Sequence, residues 1–180
     1  IELSVAHPQK VYDGTTEIGP LDLSLVGVRP LDEVQLLGSA LFEDIHVGNE
    51  KKYVISDIGL TGVDATNYAL PVWGDWVSDQ GVILPLPVSV NVLGTFSKTY
   101  GAEDPLWDWH FFPDEVAGQS LDVEGAPARE SGENAGTYSI GLGTLAHPDL
   151  VFSLEPQDFV IEPALLEVNV LGGQKQYDGS

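Results

Sequence analysis

Gln9-Lys10-Val11-Tyr12-Asp13-Gly14-Thr15 is the stretch whose reading decides the fold, because it returns twice. The second full copy is Gln174-Lys175-Gln176-Tyr177-Asp178-Gly179-Ser180, at the very end of the chain. A variant, Ser97-Lys98-Thr99-Tyr100-Gly101-Ala102-Glu103, lies between them. Each copy follows a short alternating apolar run: Ile1 to Val5, Val88 to Val92 and Leu166 to Val170. Strict alternation is the signature of a half-buried strand. A fixed period decides architecture before any local reading does. Here 88 positions separate Lys10 from Lys98, and 77 separate Lys98 from Lys175.

The repeat extends beyond the motif. Residues 83–94 (ILPLPVSVNVLG) align without a gap to residues 161–172 (IEPALLEVNVLG). Late in each copy come a glycine and two aromatic strands. In the first these are Val47-Gly48, Tyr53 to Ile55 and Asn67 to Leu70; in the second, Ala135-Gly136, Thr137 to Ile140 and Val151 to Leu154. The period therefore predicts two β-rich modules, residues 1–84 and 85–162. Residues 163–180 are then the opening strand and turn of a further repeat. With modules of about 80 residues, each alone is marginal in the surface it can bury, and contacts between modules gain weight.

These residues resemble the YDG domain of bacterial surface proteins. The likeness rests on Lys10-x-Tyr12-Asp13-Gly14-Thr15-Thr16, Phe42-Glu43-Asp44, Val47-Gly48, Leu60-Thr61-Gly62 and Asn67-Tyr68. The second module is similar to the related MBG type, through Lys98-Thr99-Tyr100-Gly101-Ala102-Glu103-Asp104-Pro105 and Gly132-Glu133-Asn134-Ala135-Gly136-Thr137-Tyr138. It departs from the YDG pattern where Gly101 and Ala102 stand in place of Asp13 and Gly14. The resemblance implies tandem repeats of a large secreted adhesin at the bacterial cell surface. It implies a stalk or spacer role in cell adhesion and biofilm, with neighbouring repeats as partners, and it brings no catalytic residues.

Composition bounds the remaining classes. The 28 acidic against 7 basic residues leave a net charge of −21. Such a surface repels phosphate backbones and anionic membranes, which argues against nucleic acid as a partner. The hydrophobic content of 43 % separates the chain from acidic disordered tails. Without cysteine there is no disulfide framework and no thiolate zinc site. No apolar run is long enough for membrane insertion. With no methionine and no signal sequence, the chain reads as a segment of a longer exported one.

Local signals predict a mostly β fold with at most one short helix per module. Asp13-Gly14 predicts a two-residue turn with Thr15 and Thr16 on the return strand. Val34 to Leu36 and Ala40 to Phe42 read as two strands around Gly38, and Gly74 to Gly81 as a loop. Pro113-Asp114-Glu115-Val116 suits one helical turn, Leu121 to Val123 a strand, and Asn67 to Val72 the closing strand of the first module. The architecture expected is two small β-grasp-like modules joined end to end, with an immunoglobulin-like sandwich as the alternative.

Candidate site residues follow from the same pattern. Lys and Tyr at i and i+2 share one strand face. The recurring Lys10, Tyr12, Asp13 and Gly14, Lys98, Tyr100 and Gly101, and Lys175, Tyr177, Asp178 and Gly179 are therefore read as structural, with Tyr12 and Tyr100 as ring anchors and each lysine paired to a carboxylate. Trp107 and Trp109 share a strand face and, with Trp73 and Trp76, make the candidate platform for stacking a sugar, so the alternative function is a glycan-binding or directly adhesive module whose partner is a host or matrix glycan or protein. Asp104, Asp108 and Asp114 are the candidate ligands for calcium, although no calcium-loop spacing supports them. Gly141-Leu142-Gly143 imitates a dinucleotide fingerprint, but His147-Pro148 follows where a helix should open. The histidines are scattered and no nucleophile elbow accompanies them, so an enzyme is not expected.

Overall fold

The computed structural model describes residues 2–5, 7–19, 23–70, 76–173 and 176–179. The chain is mostly β, and among these residues the helical content is one 3-10 turn, Ala65–Asn67. Strand β1 (Glu2–Val5) pairs antiparallel with β3 (Leu23–Val26). Strand β2 (Gln9–Val11) joins β4 (Gln35–Phe42), β5 (Gly48–Thr61) and β6 (Trp76–Leu84) in a sheet of order β2-β6-β5-β4. β2 runs parallel to β6, and the other two pairings are antiparallel.

The second half begins one residue later. Pro85 alone separates β6 from β7 (Leu86–Leu93). There follow β8 (Ser97–Thr99), β9 (Asp108–Phe112), β10 (Glu115–Val116), β11 (Gln119–Ser120), β12 (Ala128–Arg129), β13 (Gly136–Gly141), β14 (Leu150–Leu154) and β15 (Gln157–Glu162). One sheet has the order β14-β7-β9 and the other β12-β13-β15-β8. β8 runs parallel to β15, while β15–β13 and β13–β12 are antiparallel. The order and sense of β2-β6-β5-β4 thus recur in β8-β15-β13-β12, and the antiparallel β1–β3 pair in β7–β9.

Period-two burial builds two cores. Val88, Val90 and Val92 point inward along β7 while Ser89, Asn91 and Leu93 are exposed. Val90 and Val92 meet Ile140, Phe159 and Ile161 of the facing sheet, with Phe152, Leu154 and Trp109 packed against them. The other core unites Tyr12, Ala40, Phe42, Tyr53, Ile55 and Ile83 with Val88 and Leu150 of the second half. Each fully buried side chain of this size contributes about 1.5–3 kcal/mol, so the two borrowed residues matter to a core this small. Gly81 is required here: a Cβ would stand 2.4 Å from the Phe42 ring and 2.9 Å from the Lys51 carbonyl.

Several local expectations are corrected. Asp13-Gly14 does turn the chain, but β2 makes no hairpin with Thr15 and Thr16, because β2 takes β6 as its neighbour. The chain instead crosses to the far edge of the sheet, where Phe42 N donates to Thr16 O and Ile18 N to Ala40 O, bridging Glu17 to Leu41. Residues 35–42 form one strand with a register shift between Leu37 and Ser39, not two strands. Trp76 to Gly81, read as loop, lies in β6; Asn67 to Leu70 and Leu121 to Val123 lie in no strand. The helical turn at Pro113–Val116 is replaced by the β10–β11 hairpin, closed by Leu121 N to Asp114 O. Its tip, Ala117-Gly118, carries positive φ at both residues, the turn that matches strand twist. Among the described residues of 163–180 no strand forms, although residues 164–171 repeat the alternation of β7. A strand needs hydrogen-bonding neighbours, and β7 has β9 and β14.

Candidate functional site: two lysine-centred turns and the junction beside the first

The Lys10 ammonium fills the first turn. It donates to Thr15 O at 2.8 Å and Glu17 O at 2.8 Å and lies 2.6 Å from Asp13 Oδ1. With Thr15 Oγ1 at 3.1 Å, four oxygens surround its three N–H donors, which satisfies a largely buried ammonium. Asp13 Oδ1 also accepts from Thr15 N and Thr15 Oγ1, each at 2.9 Å. Burial pushes the Asp13 carboxyl up, but the bonds from Lys10 and Thr15 outweigh it and hold its pKa below the usual value.

The second turn solves the same problem with a ring of four charges. Lys98 Nζ meets Asp104 Oδ1 at 2.7 Å and Glu133 Oε2. Arg129 grips both Asp104 oxygens, with Nε 2.6 Å from Oδ2 and Nη2 3.0 Å from Oδ1, and reaches Glu133 Oε1 at 2.6 Å. The guanidinium stacks over Tyr138 and Phe159, at 5.3 and 5.2 Å from the ring centroids. The Arg129 bonds, helped by Lys98, bring the Asp104 pKa down to about 2. Positive φ falls on Gly14 in the first turn and on Gly101, one position earlier in the alignment, in the second. The two turns therefore share an entry register and differ in path.

This ring predicts an acid limb. The folded Asp104 carboxyl binds its proton more weakly than the unfolded one. Its contribution is therefore complete above the unfolded pKa of 3.8 and is lost as pH falls towards about 2. Urea unfolding of the native chain should weaken across that window, and Asp104→Asn should flatten the slope there. Added salt should shrink the difference, since Asp104 is partly exposed. Equal acid slopes in the two proteins would refute this role.

The Tyr12 and Tyr100 backbones occupy the same register. Tyr12 N donates to Leu84 O and Tyr100 N to Glu162 O, both at 2.8 Å. Their rings fare differently. Tyr12 is 8 % exposed and Tyr100 53 % exposed, so within this chain the Tyr12 ring is covered and the Tyr100 ring is not. Tyr12 is covered by the second half: its ring centroid lies 6.4 Å from that of His147, and it shares a core with Val88 and Leu150. This burial, then Asp149 and Asp13 nearby, pushes the Tyr12 hydroxyl pKa up. At Gly14 a Cβ would stand 2.9 Å from Val116 Cγ1, so the turn sits against the β10–β11 hairpin.

Asp149 joins the halves. It is buried, and its Oδ1 accepts from Val47 N at 2.7 Å while Oδ2 accepts from His46 Nδ1 at 2.9 Å. Its own N–H donates to His147 Nδ1, and its carbonyl accepts from Leu86 N. Sequence reasoning passed over Asp149, His46, Arg129 and Val116. The available signal for Asp149 was one carboxylate in the otherwise uncharged run Leu145 to Val151.

The remaining candidates are dispersed. Trp107 and Trp109 are both half-buried against the second core. Trp107 packs between Phe96 and Phe159 and donates Nε1–H to Thr95 O, and Trp109 stacks on Phe111. Both line an open groove of about 470 Å³ with Arg129 and Glu130. Trp73 and Lys175 lie outside the described residues, as does the Trp76 side chain. Among the described residues no three acidic or histidine side chains are placed to hold a metal ion, so Asp104, Asp108 and Asp114 form no cation site. Asp104 is turned into the charge ring instead. Tyr177 is exposed, and Gly179 has φ +74°, close to the +73° of Gly14.

The family model of the YDG domain matches residues 2–73, from β1 through the 3-10 turn, which supports that family for the first half. No curated protein and no solved structure matches the chain.

Proposed function

We propose that this chain is a force-carrying spacer, a pair of like β modules from the stalk of a secreted bacterial adhesin, holding a distal binding region away from the cell surface. One observation carries the reading. In each half the second strand lies parallel to the last strand and hydrogen-bonded to it: β2 to β6, and β8 to β15. A pull on the two ends of such a pair loads its hydrogen bonds together, in shear, where an antiparallel hairpin would open one bond at a time. The second half adds a five-residue parallel register between β7 and β14. The recurring strand order, the YDG match and the resemblance of the second half to the MBG type support the repeat reading. We read each module as a small two-sheet sandwich rather than a β-grasp, since the second core lies between two sheets. Its partners are then neighbouring modules. Among the described residues no helix is long and apolar enough to cross a membrane.

Single-molecule stretching from the two chain ends tests the proposal. Abrupt ruptures are expected, each releasing about 250–300 Å for a module of about 80 residues at roughly 3.5 Å per residue. Gradual extension at low force would defeat it. A second reading has one observation in its favour: Trp107 and Trp109 line a single groove beside Arg129 and Glu130, a setting suited to a sugar ring. Glycan-array binding abolished by Trp109→Ala would move the conclusion there.

A further inference from the structure

The junction between the halves leaves a matching face uncovered at the far end of the second half. Lys10 pairs with Ile83 and Lys98 with Ile161; Gly48 pairs with Ile83 and Gly136 with Ile161. In this register Tyr100 stands where Tyr12 does, and Asn134 and Ala135 stand where His46 and Val47 receive Asp149. Tyr100, Asn134 and Ala135 are all exposed. Past Glu162 the chain repeats β7 residue for residue in pattern. Yet Leu166, Val168 and Val170 are 84–90 % exposed, where the aligned Val88, Val90 and Val92 are 1–5 % exposed. Apolar residues that alternate in sequence at that exposure have nothing to pack against.

We propose that Tyr100, Asn134, Ala135 and segment 164–171 form one docking face, and that its occupant is a following module with the fold of residues 85–162. The occupied junction in this same chain defines the fit. Segment 164–171 becomes that module's opening strand, between its counterparts of β9 and β14. The counterpart of the His147-Pro148-Asp149-Leu150 loop covers Tyr100, and its aspartate accepts from Ala135 N–H and the Asn134 amide. The Asn134 amide replaces the His46 imidazole as donor. Tyr100 is then not a failed copy of Tyr12 but the same anchor awaiting its cover.

The inference rests on the repeat reading but not on the force-carrying one, and the two fail separately: stretching reports the parallel strand pairs, whereas the following test reports the face. The chain is extended by joining residues 95–162 directly after Gly172, so that 163–172 serve the appended copy as 85–94 serve the second half. Amide hydrogens of 164–171 should exchange freely in the present chain and become at least a hundredfold slower in the extended one. Tyr100→Ala should leave the unfolding midpoint of the present chain unmoved and lower that of the extended chain, as Tyr12→Ala lowers both. Changing the appended copy's counterpart of Asp149 to alanine should lower the midpoint of the extended chain in the same way. Free exchange in 164–171 after extension, an appended copy that does not fold, or a Tyr100→Ala variant silent in both chains would each overturn the proposal.

Discussion

Truncating Tyr12 to alanine should cost about 3–4 kcal/mol of unfolding free energy, and the same truncation at Tyr100 less than about 0.5 kcal/mol. The two residues share a motif position and a backbone register, so propensity and strand pairing contribute alike to both. What separates them is cover. The Tyr12 ring is wrapped by residues from both halves of the chain, and its removal opens a cavity where the first core meets Val88 and Leu150. The cavity cannot collapse easily, because Phe42 and Tyr53 are themselves fixed edge to face at 6.2 Å. The Tyr100 ring leaves mostly water behind. Urea unfolding of the two variants reads the difference directly, and equal losses would show that the motif acts through its own turn rather than through the junction.

Replacing Asp149 with alanine is the second large effect, about 2–3 kcal/mol. The cause is mainly the half-buried Val47 amide, which would lose its acceptor. His46 is largely exposed and can turn to water, so its share is smaller. Asp149→Asn retains an oxygen for the Val47 N–H and should recover more than half of the loss, while His46→Ala should cost under about 1 kcal/mol. The measurement is equilibrium unfolding of the three variants. An Asp149→Ala loss within about 0.5 kcal/mol of the native chain would remove the aspartate as the tie between the halves.

Much of the architecture was legible as pattern. The alternation of Val88 to Val92, the turns at Gly14 and Gly101, and the repeat of 83–94 in 161–172 are local or periodic, and backbone sterics and burial translate such signals directly into strands and turns. The lysine at each turn was also visible, because few cations exist in so acidic a chain and three of them recur in one motif. The details of pairing were not. Thr15 and Thr16 suit a return strand, yet β2 pairs with β6, far along the sequence, and no local propensity encodes that choice. Pro113 to Val116 suits a helical turn, but the positive φ at Ala117 and Gly118 and the closing bond from Leu121 to Asp114 make it a hairpin.

What the sequence determined by itself, then, was the period, the alternating strands and the chemistry available at each turn, since all of these are carried by the order of residues and do not depend on what packs against them. Only the tertiary structure decided which copy of a shared motif is buried. Tyr12 and Tyr100 each follow a lysine by two residues and make the same backbone hydrogen bond to the last strand of their half. One lies under His147, Val88 and Leu150 and the other faces solvent. Burial is set by what packs from outside the motif, and the Asp149 carboxylate that ties the first junction reaches His46 from 103 residues away.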